Sequence, residues 1–276
     1  MQANEGQLTL GGAPVTSAFK EVTKTSGQLN CSSPGTNLLA NNEVIALKIM
    51  VINPNTTAAM TQQMVEACSK LVGPEVELRV CNPTKGVPSI QGRADGIAAA
   101  YYTLELIREA DTEGVDGFVI ACFDDTGLQA AREVASGPVV GIGESAMSAA
   151  SMLGAKYSIL TSTQRSVQIL EENADNYGLS KRCQGIHALN IPVLDLHSDS
   201  SYELALERSR QIVEQDHAEC LVMGCGGMTH WQEPLSNDLG MPVIDGVVVG
   251  LGLVEILVRM KLKTSKAITY AYPIQE

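Results

Sequence analysis

Two apolar runs that each stop at a cysteine constrain this chain more than any other feature. They are Gly117-Phe118-Val119-Ile120-Ala121-Cys122-Phe123 and Cys220-Leu221-Val222-Met223-Gly224-Cys225-Gly226-Gly227. Cys122 and Cys225 stand 103 residues apart (225 − 122), and the surrounding segments repeat at nearly the same offset. Gly137-Pro138-Val139-Val140 is answered by Met241-Pro242-Val243-Ile244, 104 residues on (242 − 138). Lys48-Ile49-Met50-Val51-Ile52-Asn53 is answered by Lys156-Tyr157-Ser158-Ile159-Leu160-Thr161, 108 residues on (161 − 53). A fixed long period with one cysteine in each copy predicts two similar lobes related by a pseudo-twofold axis. Each lobe then offers one thiol to a shared cleft.

From Lys48 onward, short β-branched runs alternate with longer amphipathic stretches, the pattern of a mainly parallel sheet flanked by helices. The first α/β lobe, residues 47–145, reads as strand 48–53, helix 57–72, strand 76–81, helix 97–112, strand 116–122, helix 126–135 and strand 138–142. The second, residues 146–276, reads as strand 156–161, helix 164–177, strand 186–191, helix 201–216, strand 219–224, a short helix, strand 242–245 and a last helix to about 261. The two lobes are expected to form one catalytic unit, with room for the C-terminal segment to return to the first. Ligands of open parallel sheets bind beyond the carboxyl ends of the strands, where Asn53, Cys122, Thr161 and Cys225 all stand. Residues 1–46 carry only five charged side chains and no arginine. They show no sustained period and read as a disordered or loosely docked extension rather than a transit peptide.

At 276 residues the chain is long enough for two lobes that each bury a core. A formal charge of −12 opposes phosphate backbones and anionic lipid, so neither nucleic acid nor membrane is an expected partner. No apolar run has the length of a membrane span, and no secretory signal is expected. Seven cysteines, an odd number, fit reduced thiols better than a disulfide framework, which favours a cytoplasmic location.

A lone cysteine at a buried strand end is usually a small hydrophobe, and Cys68, Cys81, Cys183 and Cys220 are read that way. Met60, Met64, Met147 and Met152 are likewise read as core. Cys122 and Cys225 differ because they occupy equivalent places in the repeat and precede segments that expose backbone N–H groups. Such amides favour a thiolate and draw its pKa from about 8.5 toward neutrality. Asp124 and Asp125 oppose this at Cys122, although either can also cap a following helix.

Two thiols on one cleft can form a redox disulfide, hold a metal, or act as an acid and base pair. No Cys-x-x-Cys is present, and His187, His197, His217 and His230 form no ligand grouping, so the first two uses are weak. Inverting a stereocentre needs one group to take a proton from one face and another to deliver one to the opposite face. A pseudo-symmetric pair supplies both.

Ile52-Asn53-Pro54-Asn55-Thr56, Pro88-Ser89-Ile90-Gln91-Gly92, the run from Ile120 to Leu128, Gly224-Cys225-Gly226-Gly227-Met228, Thr264-Ser265-Lys266 and Tyr270-Ala271-Tyr272-Pro273 together resemble the hydantoin and allantoin racemases. These are a cofactor-independent branch of the aspartate/glutamate racemase superfamily, and the resemblance covers Lys48 to Pro273. It implies that Cys122 and Cys225 are the catalytic bases, and that no metal, flavin or pyridoxal cofactor is needed. It also implies that Ser89 and Ile90 lie on a loop over the cleft, that the enzyme is a homo-oligomer, and that an allantoin substrate would place it in purine catabolism. Glutamate racemases carry polar Asn-Thr and Thr-His after their two cysteines, where this chain has Phe123 and Gly226-Gly227. An aromatic wall and bare amides suit a small, flat, neutral ring. Phe123-Asp124-Asp125-Thr126-Gly127 departs from a Gly-Asp-Pro-Gly version of bacterial members, which leaves allantoin and a 5-substituted hydantoin both open.

The expected mechanism has one cysteine abstracting the ring proton and the other reprotonating the far face. Backbone N–H groups around Phe123, Gly226 and Gly227 hold the enolate, and Asn53 and Thr161 orient the ring. The competing readings are an aspartate-type amino-acid racemase, a single-cysteine isomerase or decarboxylase, and a non-catalytic two-lobed binding protein. Asp245 is expected to cap the last helix.

Overall fold

A computed structural model of the protein describes residues 30–32 and 46–274. Apart from the short strand β1 (Asn30–Ser32), the extension expected over residues 1–46 lies outside the described residues. The chain continues as β2 (Leu47–Ile52), α1 (Ala58–Ser69), β3 (Val76–Asn82), α2 (Arg93–Thr112), β4 (Gly117–Ile120), α3 (Leu128–Val134), β5 (Val139–Gly141) and α4 (Ile142–Leu153). The second half repeats the pattern with β6 (Tyr157–Thr161), α5 (Gln164–Asn176), β7 (Cys183–Ala188), α6 (Asp199–Asp216), β8 (Cys220–Met223), α7 (Gln232–Leu239), β9 (Val243–Asp245) and α8 (Gly246–Arg259). Two 3-10 turns, Val193–Asp195 and Gly226–Trp231, stand in the connections.

The strand orders β3-β2-β4-β5 and β7-β6-β8-β9 are the same arrangement twice, parallel throughout, with β1 added antiparallel to the edge of the first. The chain leaves β2 toward one side and returns on the other as β4, so the strand order reverses between them. The same reversal lies between β6 and β8. Such switch points open a crevice at the carboxyl ends of the strands.

Side-chain alternation builds three cores from two sheets. Ile49, Val51, Val119 and Val140 of the first sheet and Tyr157, Ile159, Val222 and Ile244 of the second share one cluster with the buried sides of α4 and α8. Met50, Ile52, Phe118 and Ile120 face away and pack with Leu106, Ile107 and Leu128. Leu160, Leu221 and Met223 do the same with Ile212, Trp231 and Leu235. Each such side chain taken fully out of water contributes about 1.5–3 kcal/mol.

The last helix of each lobe crosses to the other. α4 follows β5 but packs on β8 and β9, whereas α8 follows β9 but packs on β2, β4 and β5. The two helices also pack on each other. Gly246 permits this, because a Cβ there would meet the Ile142 carbonyl oxygen at 2.4 Å. The C-terminal segment then runs along the first lobe, where Lys266 Nζ donates to the Arg132 and Glu133 carbonyls at 2.6 and 2.9 Å. A cation at those last carbonyls of α3 suits the negative end of its dipole.

Three expectations need correction. The strand expected at 186–191 lies at Cys183–Ala188, because this edge strand is mostly half-buried and its Cys-Gln-Gly-Ile-His-Ala sequence carries no apolar run to mark its start. The helix Ile142–Leu153 was not expected; its Gly, Ser and Ala content masks the period. Met152 is 78% exposed at the end of that helix, while Met60, Met64 and Met147 are buried.

Candidate active site

β4 and β8 end beside β2 and β6, and the chain turns sharply after each. Backbone bonds from Ala121 N to the Ile52 carbonyl and from Gly224 N to the Leu160 carbonyl, both 2.8 Å, fix the two strand ends identically. Cys122 and Cys225 follow, both free thiols. The two sulfurs face one cleft, and the charge of one is felt at the other.

Each thiol receives the backbone N–H of the residue two places on, Asp124 at Cys122 and Gly227 at Cys225. Each also receives a hydroxyl. Thr126 donates to Cys122 Sγ at 3.4 Å, and Ser162 to Cys225. The backbone repeats between lobes, whereas the hydroxyls come from unrelated positions.

These donors do not outweigh burial, contrary to the expectation of thiols drawn toward neutrality. Desolvation pushes the Cys122 thiol well above its ordinary value, and the adjacent Asp124 carboxylate raises it further. Desolvation lifts Cys225 to about 11, with Asp124 again adding to the rise. Both groups therefore rest as thiols at neutral pH, and at Cys122 burial, reinforced by Asp124, decides the contest left open by the sequence.

The cleft is lined by Asn55, Met60 and Ile90 on one wall and by Ser162, Ser166 and Val193 on the other. Ala121, Cys122, Phe123, Asp124, Gly224, Cys225 and Gly226 form its floor. The cleft opens to solvent, and the cavity at its base measures about 30 Å³.

Of the expected site residues, the fold brings Cys122, Cys225, Ile90, Phe123 and Gly226 to this cleft, and Gly227 stands behind Cys225 with its N–H on the sulfur. Asn53, Thr161 and Ser89 stand one layer back. Asn53 is fully buried and donates to Asn55 Oδ1 and Thr61 Oγ1 at 3.1 and 3.0 Å. Thr161 Oγ1 donates to the Gly224 carbonyl at 2.8 Å, tying β6 to the residue before Cys225. Ser89 is buried and accepts from Gln91 Nε2 at 3.2 Å. Asn55, Ser162 and Ile90 line the cleft instead; Ser162 and Ile90 directly follow Thr161 and Ser89, whereas Asn55 lies two residues beyond Asn53 in the bend after β2.

Asp125 is buried in the left-handed region at φ 51° and caps α4, accepting from Gly143 N and Glu144 N at 2.8 and 2.7 Å. Tyr177 of the second lobe donates to the same carboxyl at 2.7 Å, and Asn173 Nδ2 donates to the Asp124 carbonyl at 3.0 Å. The end of α5 thus holds the Cys122 loop in place. Burial pushes Asp125 up to about 7 and Asp124 to about 6. Asp245 caps α8 through Val247 N at 3.0 Å, as expected. Among the described residues no group of three His, Cys, Asp or Glu side chains converges to hold a metal ion, and no helix is long and apolar enough to cross a membrane.

Two repeated α/β lobes thus bring one thiol each to a single crevice. The chain belongs to the Asp/Glu/hydantoin racemase family, whose sequence pattern matches residues 49–254. It is 42% identical over 229 residues to a hydantoin racemase of Pseudomonas sp. (strain NS671), covering 82% of this chain and 92% of that protein. It is 40% identical over 229 residues to a hydantoin racemase of Rhizobium meliloti, covering 82% and 95%. The allantoin racemase structure from Klebsiella pneumoniae superposes with a TM-score of 0.82 at 41% identity, covering 84% of this chain and 95% of that one. A maleate isomerase from Pseudomonas putida S16 shares the fold, with a TM-score of 0.59 at 16% identity over 79% of this chain and 94% of that one.

Proposed function

We propose that this racemase inverts the acidic ring stereocentre of allantoin or a 5-substituted hydantoin, with Cys122 and Cys225 as its two bases. The observation that carries the proposal is the pair of thiols on one cleft, each held by the N–H group two residues on. The named relatives, hydantoin and allantoin racemases at 40–42% identity, support the substrate class.

A thiolate on one cysteine takes the proton from the ring carbon, and the electron pair moves into the adjacent carbonyl as an enolate. The thiol of the other cysteine delivers its proton to the opposite face. The product is the mirror image, and the charge has passed from one sulfur to the other, so the next turnover runs in the reverse sense. The Phe123 and Gly226 N–H groups, beside the two cysteines, are the donors placed to hold the enolate oxygen. Donors of this kind contribute about 3–4 kcal/mol each to a transition state. The thiolate must form against burial, which the Asp124 and Gly227 N–H groups and the two hydroxyls partly offset. No lining side chain is cationic, which favours a neutral ring over a free amino acid. Polarimetry on single enantiomers of allantoin and of several 5-substituted hydantoins tests the reading. Decay of rotation is expected; inversion of aspartate with the ring compounds untouched would replace it.

A further inference from the structure

Asp124 is the one charged side chain among the residues that line the cleft. Its backbone is held on both sides, by its N–H on Cys122 Sγ and by Asn173 on its carbonyl, so the residue is fixed in the cleft lining beside both thiols. Among the described residues its carboxylate receives no hydrogen bond. Arg93, the cation whose charge it feels, donates to both oxygens of Glu172, each at 2.7 Å.

A carboxylate left like this works against the chemistry, because it opposes ionisation of both cysteines. Its use therefore lies in recognition. We propose, resting on the racemase reading above, that Asp124 selects ring substrates whose 5-substituent ends in an ammonium, a guanidinium or another N–H-bearing group. Such a group entering the cleft pairs with the carboxylate and lifts its repulsion from both sulfurs, so the right substrate promotes formation of the thiolate that attacks it. A substituent ending in a carboxylate meets repulsion and finds no cationic partner in the lining. The selectivity then appears in kcat as well as KM, which a purely structural role would not produce.

The test compares 5-(3-aminopropyl)hydantoin with 5-butylhydantoin, which has the same number of heavy atoms, and with 5-(2-carboxyethyl)hydantoin, using the full chain and Asp124→Asn. The native enzyme should racemise the ammonium compound with a kcat/KM at least about tenfold above the butyl compound, the value of one charge-assisted hydrogen bond. Asp124→Asn should bring that ratio to within about twofold of parity and raise the relative rate of the carboxyethyl compound. Because loss of the charge shifts both thiols for every substrate, the ratio between substrates, and not the rate with any one of them, reads the pairing with Asp124. The native preference should also weaken as pH falls through about 6, where Asp124 takes up its proton. Cys122, Cys225 and Arg93 face it; the two cysteines stay as thiols there, and the Asn variant separates any effect of the neighbouring Asp125. A native ratio near one, or a ratio unchanged in Asp124→Asn, overturns the assignment. Racemisation of none of the three compounds defeats the underlying substrate reading as well, whereas racemisation with a flat ratio defeats the role of Asp124 alone.

Discussion

The backbone of Gly226 rests against the carbonyl oxygen of Ala121, so closely that a Cβ on Gly226 would come to 2.8 Å from it. These residues stand next to the two cysteines, one after Cys225 and one before Cys122. The separation of the sulfurs is therefore set by main-chain contact between lobes. Gly226→Ala should push the strand ends apart, lower stability by about 1–3 kcal/mol as overpacking does, and reduce racemisation at least about tenfold through misplacement of the bases. Thermal unfolding and polarimetry on the same preparation check both. Native activity in a folded variant would show that the contact does not set the site.

Both thiols are neutral at pH 7, Cys225 pushed up to about 11 and Cys122 well above its ordinary value, so activity limited by thiolate should climb with pH. The expected kcat/KM profile rises close to tenfold per pH unit between 6 and 9. Ser162→Ala removes the hydroxyl donor to Cys225 and displaces that rise to higher pH. At pH 8 its activity should be about five- to tenfold below the native enzyme, the worth of one hydrogen bond to a charged group. A flat profile would mean that bound substrate alone sets the ionisation.

Asp125 links the stability of the fold to pH. Its pKa lies at about 7 in the fold and about 3.8 in the unfolded chain. The folded state therefore holds its proton more tightly, and this residue's contribution to stability is greatest below pH 4 and declines as pH rises through 7. Tyr177→Phe removes a donor to the ionised form. Its cost should be about 1–3 kcal/mol at pH 8 and smaller at pH 5, read from urea midpoints. An equal cost at both pH values would place Tyr177's contribution in packing instead.

The helix exchange makes a different demand. Leu251 of α8 is fully buried in the cluster shared by both sheets. Leu251→Ala should cost about 2–5 kcal/mol and leave a single unfolding transition, because α8 closes the first sheet while following the second. Two separated transitions would show that the lobes fold independently.

The doubled lobe and the paired cysteines were legible because buried parallel strands write themselves as continuous apolar runs, and the repeat placed the cysteines at equal positions. The crossing of α4 and α8 was hidden, since the sequence of a helix records an apolar face and not the sheet that face meets. Asn53 and Thr161 were legible as strand ends. Their side chains turn inward onto Thr61 and Gly224, and Asn55, in the bend two residues on, and Ser162, the next residue, line the cleft in their place, a difference that only the packed turns settle. Val193 and Ser166 had no local signal at all, because only the fold brings the connection after β7 and the start of α5 to the thiols. The raised pKa of both cysteines was also hidden: backbone donors are visible near a strand end, but the depth of burial that outweighs them is a property of the packed lobes.

Hydrogen exchange at the ring carbon in deuterated water, with Cys122→Ser and Cys225→Ser, addresses the pair of bases directly. Each variant should lose racemisation by at least about a hundredfold, the lower range for a lost acid–base group, and should retain exchange with one enantiomer only, the opposite one in each variant. Native racemisation by either single variant would contradict the two-base account.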